Sequence, residues 1–318
     1  MSSEVSCRAA SASAAMSGAP YSPLATPSAT RSVLEQHGLS TKKSLGQNFL
    51  VDDSVVRRIC VLADIKPDDT ILEVGPGIGT LTLALLPRTA RVLSVERDIH
   101  LPAVLADTCA GFDNFTLLSK DALNLSEQDL IDAFGTAARI GDAPCKFVAN
   151  LPYAVAATLV LDYFQRFTSI RSATVMVQSE VADRMTASPK TKSYGAYTVK
   201  LSLLACPVGR FQVRPSSFFP PPHVTSSVIR LDRRDDLGLS VQRAQRAAMM
   251  ADAAFASRRK TIANSFKAYF SNTPLKSQVL PVVGDVLAEA GIDAHRRGES
   301  LDVEEFIALA DAFECIVN

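Results

Sequence analysis

Three stretches of the chain carry residue types whose spacing could do chemistry. The first is Glu73-Val74-Gly75-Pro76-Gly77-Ile78-Gly79, which follows a short apolar run and opens a helical pattern. Glycines let the backbone turn tightly and approach a ligand closely, and the N-terminus of the helix behind them favours acceptor groups. The second is Glu96, 21 residues beyond Gly75 at the end of the next apolar run. An acid there can accept hydrogen bonds from two ribose hydroxyls. The pair points to an adenosine-bearing cofactor. A dinucleotide fingerprint is GxGxxG; here the spacing is GxGxG with an acid two residues before the first glycine. That spacing is more typical of S-adenosylmethionine enzymes, and a nicotinamide dehydrogenase is the rival on these residues alone. Asp121, after the third apolar run, could receive the adenine amino group by its place in the series, although an isolated Asp before a helix is more often an N-cap.

The third stretch is Asn150-Leu151-Pro152-Tyr153, which follows the fourth apolar run. In an open sheet of parallel strands that is the carboxyl edge, where ligands bind. An exocyclic base amine is a poor nucleophile because its lone pair is delocalised into the ring. Two acceptors aimed at the amine hydrogens hold the nitrogen and favour a nucleophilic geometry. The Asn150 side-chain oxygen is one candidate. The Leu151 carbonyl is another, because Pro152 constrains the loop. Tyr153 offers a face on which a purine can stack. A sulfonium methyl donor is already activated, so catalysis is mainly in-line positioning of the amine, with no metal.

The elements that must position these residues alternate. Val51–Ala63 reads as an amphipathic helix, Thr70–Val74 as a strand, Gly79–Leu86 as a helix ended by Pro87, and Arg91–Glu96, Phe115–Leu118, Cys145–Ala149 and Ala173–Gln178 as further strands. Lys200–Cys206 and Ser226–Leu231 read as later strands. Strands alternating with helices predict an α/β fold: a Rossmann-like, doubly wound, mostly parallel sheet. After the polar break Asp232–Gly238 the strand signal ends, and 241–270, 276–290 and 302–316 read as helices. The expected organisation is a disordered Ser/Ala/Pro-rich leader over 1–35, a catalytic domain over 36–235 and a small all-helical domain over 236–318.

Composition narrows the function classes. The 318 residues are 47% hydrophobic and 21% charged, which are globular values. The 33 basic and 33 acidic side chains cancel, which excludes a uniformly basic nucleic-acid coat but not a local patch. No apolar run is long enough to cross a bilayer. The six cysteines form no CxxC pair and the four histidines no HExxH, so a zinc site or metal enzyme is not expected. Residues 1–30 of the leader hold one acid, Glu4, and one base, Arg8. A cytoplasmic protein is expected, with an organelle as the alternative if the leader is a transit peptide.

Five segments together resemble the KsgA-type ribosomal RNA small-subunit adenine N6,N6-dimethyltransferases. They are Leu45-Gly46-Gln47-Asn48-Phe49-Leu50, the glycine loop, Asn150–Tyr153, Phe218-Phe219-Pro220-Pro221-Pro222-His223-Val224-Thr225-Ser226, and Phe255-Ala256-Ser257-Arg258-Arg259-Lys260. The match runs over about residues 36–318. The resemblance implies S-adenosylmethionine as cofactor and two successive N6 methylations on each of two adjacent adenosines in a hairpin at the 3′ end of small-subunit rRNA. It places Asn48 and Leu50 beside the cofactor, Gly75 at its methionine part, Glu96 at the ribose and Asp121 at the adenine, with Gly77 and Asn150 also among the cofactor-binding residues. Asn150 would orient the target amine, and Tyr153 and Phe218 would sandwich the target base, which must leave its stack for the chemistry. Phe219 reads as the core residue of the pair. Family members usually keep a lysine where His223 stands, so a phosphate contact there would be weaker and pH-sensitive.

Charge is segregated within the neutral chain. Between 243 and 276 stand Arg243, Arg246, Arg258, Arg259, Lys260, Lys267 and Lys276 against the single acid Asp252, and the last forty residues are mostly acidic. Lys42, Lys43, Arg57 and Arg58 form a second cluster. Such clusters can track phosphates. The expected partner is small-subunit rRNA in an immature ribosomal particle, recognised by a monomeric chain without membrane or metal. Two alternatives remain: a large-subunit rRNA dimethyltransferase of the macrolide-resistance type, and a non-catalytic RNA-binding assembly or transcription factor on the same fold.

Overall fold

A computed structural model describes residues 19–39, 47–134 and 143–317. Leu45, Gly46, Lys42 and Lys43 lie outside the described residues, as does most of the leader. The expected α/β class holds. A two-stranded ribbon joins β1 (Phe49–Leu50) and β8 (Phe218–Phe219). Seven further strands form one sheet: β2 (Thr70–Val74), β3 (Arg91–Glu96), β4 (Phe115–Ser119), β5 (Lys146–Asn150), β6 (Ser172–Gln178), β7 (Ala205–Val213) and β9 (Ser226–Arg233). Their order is β4-β3-β2-β5-β6-β9-β7. β3 runs parallel to both β2 and β4, with Val74 opposite Val95 and Glu96 opposite Ser119. β6 and β9 are antiparallel, with Gln178 opposite Ser226. All five residues of β2 are buried, as a strand covered on both faces requires.

Packing divides the chain into two units. The first holds the described residues of Met1–Pro144 with Val148–Asn150 and Val213–His223. Within it, β2, β3 and β4 carry the glycine loop and Glu96 at their carboxyl ends. The leader expectation is corrected here, because Pro27–Gln36 is a helix. Its first turn carries Pro27, and the Thr26 hydroxyl accepts the Ala29 N–H at 3.1 Å. Thr30 and Leu34 bury one face, which gives the segment apolar anchorage that its Ser/Ala-rich composition conceals. Leu24 and Ala25 are buried, and the Ser22 N–H donates to Asp53 Oδ1 at 2.8 Å. The guanidiniums of Arg88 and Arg57 lie over the Tyr21 ring, 3.8 and 4.7 Å from its centroid.

The second unit holds Cys145–Phe147, Leu151–Gln212 and Val224–Asn318. A second expectation fails here. Lys200–Cys206 is not a strand: Ala196–Ser202 is a helix and β7 begins only at Ala205. The apolar alternation at Val199, Leu201 and Leu203 mimics a strand, but Thr198, Val199 and Leu201 bury a helical face. The Thr198 hydroxyl accepts the Gly195 N–H and donates to the Arg184 carbonyl, fixing the helix start. The helices Val241–Phe255, Ile262–Phe270, Val283–Glu289 and Val303–Val317 share one core, in which Met250, Phe266, Phe270, Phe306 and Phe313 pack with Tyr194, Val199 and Leu203. The expected helix over 241–270 is broken at 256–261, where the Ser257 N–H is taken by Ser265 Oγ and Thr261 caps the next helix. No described helix is long and apolar enough to cross a membrane.

Candidate active site

One side of the candidate site is built at the ends of β2 and β3. Gly75, Gly77 and Gly79 all adopt positive φ, at 68°, 61° and 92°. At Gly77 the need for glycine is twofold, because a Cβ there would also stand 3.2 Å from Phe49 Cε1. Phe49 belongs to β1, so the ribbon β1–β8 backs directly onto the loop. Beneath the loop, Glu73 is fully buried. Its Oε2 accepts from Thr82 Oγ1 and Ser94 Oγ, each at 2.7 Å. Burial outweighs both bonds and pushes this carboxyl up to about 7.

Glu96 is also buried, and its carboxyl is raised, chiefly by loss of solvent. Its Oε1 accepts the N–H groups of Arg97 and Asp98, each at 2.8 Å. Among the described residues Oε2 meets only the Gly77 N–H, at a long 3.4 Å. One oxygen therefore locks the side chain to the end of β3 and the other keeps acceptor capacity on the loop side. Asp121 caps the short turn Ala122–Asn124, with Oδ1 accepting the Leu123 N–H at 3.0 Å. Its Oδ2 takes Arg97 Nη1 at 3.3 Å. These groups fit an adenosine-bearing cofactor: a loop that admits no Cβ at Gly77, and two carboxylates with spare acceptor positions at successive strand ends.

Asn150 closes β5. Its Nδ2 donates to the Asn48 carbonyl at 3.4 Å, which ties the end of β5 to the residue before β1. Among the described residues Oδ1 takes no hydrogen bond, so the amide is oriented with its acceptor uncommitted. Leu50 is buried in β1 opposite Phe218. Leu151 is buried, and its N–H donates to the Met176 carbonyl at 3.1 Å. Pro152 begins a turn closed by the Val155 N–H on its carbonyl at 3.2 Å. Tyr153 is half-buried, with its hydroxyl 2.7 Å from Ser226 Oγ, and burial raises its pKa.

The burial of the two phenylalanines of β8 differs from the expectation that Phe219 is the core residue. Phe218 is 3% exposed, whereas Phe219 is only half-buried, beneath the Arg31 guanidinium at 4.9 Å from its ring centroid. Successive strand residues face opposite ways, and here the inward face falls to Phe218. The ribbon is anchored by Ser217, whose hydroxyl donates to Asp52 Oδ2 at 2.9 Å and whose carbonyl takes the Val51 N–H at 2.8 Å.

The basic cluster also needs correction. Arg243 and Arg246 pair with Asp311 and Glu314 and so tie two helices together, while Arg258 pairs with Glu299. The acidic tail neutralises these three. Arg259, Lys260, Lys267 and Lys276 are exposed and have no ion pair among the described residues. His223 is exposed as well. No cluster of three His, Cys, Asp or Glu side chains that could hold a metal occurs among the described residues.

Sequence reasoning missed three partners: Ser226 at the Tyr153 hydroxyl, the Asn48 carbonyl at Asn150, and Arg97 at Asp121. The first had a signal, because a buried tyrosine hydroxyl needs a partner and Ser226-Ser227 opens the strand after the proline segment.

Fold and site define a class I, Rossmann-like methyltransferase. The profile of the family described as ribosomal RNA adenine dimethylase matches residues 38–309, and the chain belongs to that family. Among curated relatives, the ribosomal RNA small subunit methyltransferase A of Enterococcus faecalis is 37% identical over 294 residues, covering 92% of this chain and 97% of its own. That of Geobacillus kaustophilus is 38% identical over 300 residues, with the same coverage. Among solved structures, a dimethyladenosine transferase from Plasmodium falciparum aligns over 84% of this chain and 98% of its own with a TM-score of 0.69 at 24% identity. The 23S rRNA methyltransferase ErmE aligns over 84% and 100% with a TM-score of 0.61 at 25% identity.

Proposed function

We propose that this protein dimethylates the N6 amines of two adjacent adenosines in a hairpin at the 3′ end of small-subunit rRNA, using S-adenosylmethionine. The observation that carries the chemistry is the Asn150 amide at the end of β5, whose Nδ2 makes a long 3.4 Å contact with the Asn48 carbonyl and whose Oδ1 has no partner among the described residues. When bound, the cofactor supplies a methyl group already activated as a sulfonium. Glu96 would accept from the ribose hydroxyls, Asp121 would receive the adenine amine, and the backbone at Gly75 and Gly77, with Asn48 and Leu50, would border the rest of the cofactor. Asn150 Oδ1 and the Leu151 carbonyl accept the two target amine hydrogens and direct the nitrogen lone pair at the methyl group. Pro152 holds the loop, and Tyr153 stacks on one face of the extruded base, offsetting part of its unstacking cost. The resemblance also assigns a base-facing role to Phe218.

In this reading residues 36–235 carry out the transfer and 236–318 face the RNA, with Arg259, Lys260, Lys267 and Lys276 as the phosphate contacts. A monomeric chain acts in the cytoplasm on an immature particle, whose shape supplies the recognition that a neutral chain cannot draw from charge alone. The large-subunit alternative has less support, since identity to ErmE is 25% against 37% to a small-subunit relative. The test is labelled methyl transfer to undermethylated small subunits with large subunits in parallel. Label in the small subunit alone is expected. Label in the large subunit would favour the resistance type, and RNA binding without label the non-catalytic factor.

A further inference from the structure

We infer that Ser226 is a positioning residue for the reaction, fixing the ring of Tyr153 through a hydroxyl–hydroxyl hydrogen bond; the inference rests on Tyr153 being the surface on which the target base stacks. Tyr153 Oη and Ser226 Oγ are 2.7 Å apart, at the short end for such a bond. Tyr153 is only half-buried, so packing constrains its two side-chain torsions less than it would those of a core ring. The hydroxyl tether restricts the remaining freedom at the end of the side chain furthest from the backbone.

The post to which it is tied is firmly held. Ser226 is fully buried and opens β9 in register with Gln178. The next residue, Ser227, is also fully buried and points to the opposite face of the strand. Its Oγ lies 3.0 Å from Ser179 Oγ and accepts from Arg210 Nη2 at 3.0 Å. Arg210 is held by Asp183 through Nη1 at 2.7 Å, and the Ser179 N–H donates to the Thr225 carbonyl at 3.0 Å. The start of β9 is thus gripped on one face while the other presents a single hydroxyl to Tyr153. A stacking ring misaligned by a fraction of an ångström presents the amine off-line, which lowers turnover without touching the cofactor.

The test is a double-mutant cycle in the full chain on undermethylated small subunits. Single-turnover rate at saturating cofactor, cofactor Kd by calorimetry and melting temperature are read together. Ser226→Ala and Tyr153→Phe should each slow transfer about fivefold, as loss of one neutral hydrogen bond implies. Cofactor Kd should be unchanged. The double variant should be no slower than either single, and Ser226→Thr, which keeps the hydroxyl, should recover most of the rate. Losses that multiply in the double variant, a Ser226→Ala rate equal to wild type, or a parallel fall in cofactor affinity and melting temperature would each overturn the inference. Tyr153→Ala separates this from the underlying reading. If it transfers at the wild-type rate, the stacking role of Tyr153 fails. If it is crippled while Ser226→Ala and Tyr153→Phe are silent, only the positioning role fails.

Discussion

Glu73 gives a prediction whose size follows from its burial. This carboxyl lies beneath the glycine loop, hydrogen-bonded to Thr82 and Ser94, and is pushed up from the ordinary 4.5 to about 7. Between those values the folded state holds a proton that the unfolded state has lost. Stability contributed by the neutral form is therefore fully present below pH 4.5 and falls as pH rises towards 7. The shift from 4.5 to about 7 corresponds to about 3 kcal/mol, lost across that window and constant above it. Glu73→Gln keeps an acceptor oxygen for the two hydroxyls and removes the titration. Relative to wild type, the variant should gain about 3 kcal/mol between about pH 5 and about pH 8, or a relative gain in Tm on the order of 5 °C for a chain of this size. Differential scanning calorimetry of both proteins at half-unit pH steps reads it directly. Parallel pH dependences of the two would refute the reasoning, because they would mean that Glu73 titrates alike in the folded and unfolded chains.

The remaining predictions concern the cofactor loop, the amine and the RNA face. Gly77→Ala should cost about 1 to 2 kcal/mol in chemical denaturation, from its positive φ and the contact with Phe49, and should weaken cofactor binding at least roughly tenfold by calorimetry. Glu96→Ala should raise the cofactor Kd roughly thirtyfold by loss of charge-assisted bonds to the ribose; wild-type affinity would remove that role. Asn150→Ala should cut single-turnover methyl transfer by about two orders of magnitude while particle binding in a filter assay stays within about twofold; unchanged turnover would sink its assignment. Arg259→Ala combined with Lys260→Ala should weaken binding to small subunits and flatten the salt dependence by roughly one to two units of log–log slope.

The elements that carry the site are legible because their signals are local. β2, β3 and β5 are short apolar runs ended by the candidate site residues, and the glycine loop announces its own turn. The helix Ala196–Ser202 reads as a strand because Val199, Leu201 and Leu203 satisfy a strand alternation, and only the Thr198 contacts with Gly195 and Arg184 decide between the two. Pro27–Gln36 is hidden for a different reason: two buried residues, Thr30 and Leu34, give a periodic signal too weak to stand out from Ser and Ala. Which of Phe218 and Phe219 is buried depends on the register of β8 against β1, which is a tertiary fact. The pairing of Arg243 and Arg246 with Asp311 and Glu314 is also long-range, so a sequence count of bases overstates the free positive charge. Ser226 stands 73 residues from Tyr153, and nothing local links them.

The most direct test of the central claim is the product itself. RNA from undermethylated small subunits, treated with the protein and S-adenosylmethionine to completion, would be digested to oligonucleotides and sequenced by mass spectrometry. The account predicts one fragment near the 3′ end carrying two adjacent N6,N6-dimethyladenosines, four methyl groups in all, and no other modified position. Methyl groups on another atom or base, or reaction that stops at one methyl per adenosine, would contradict it.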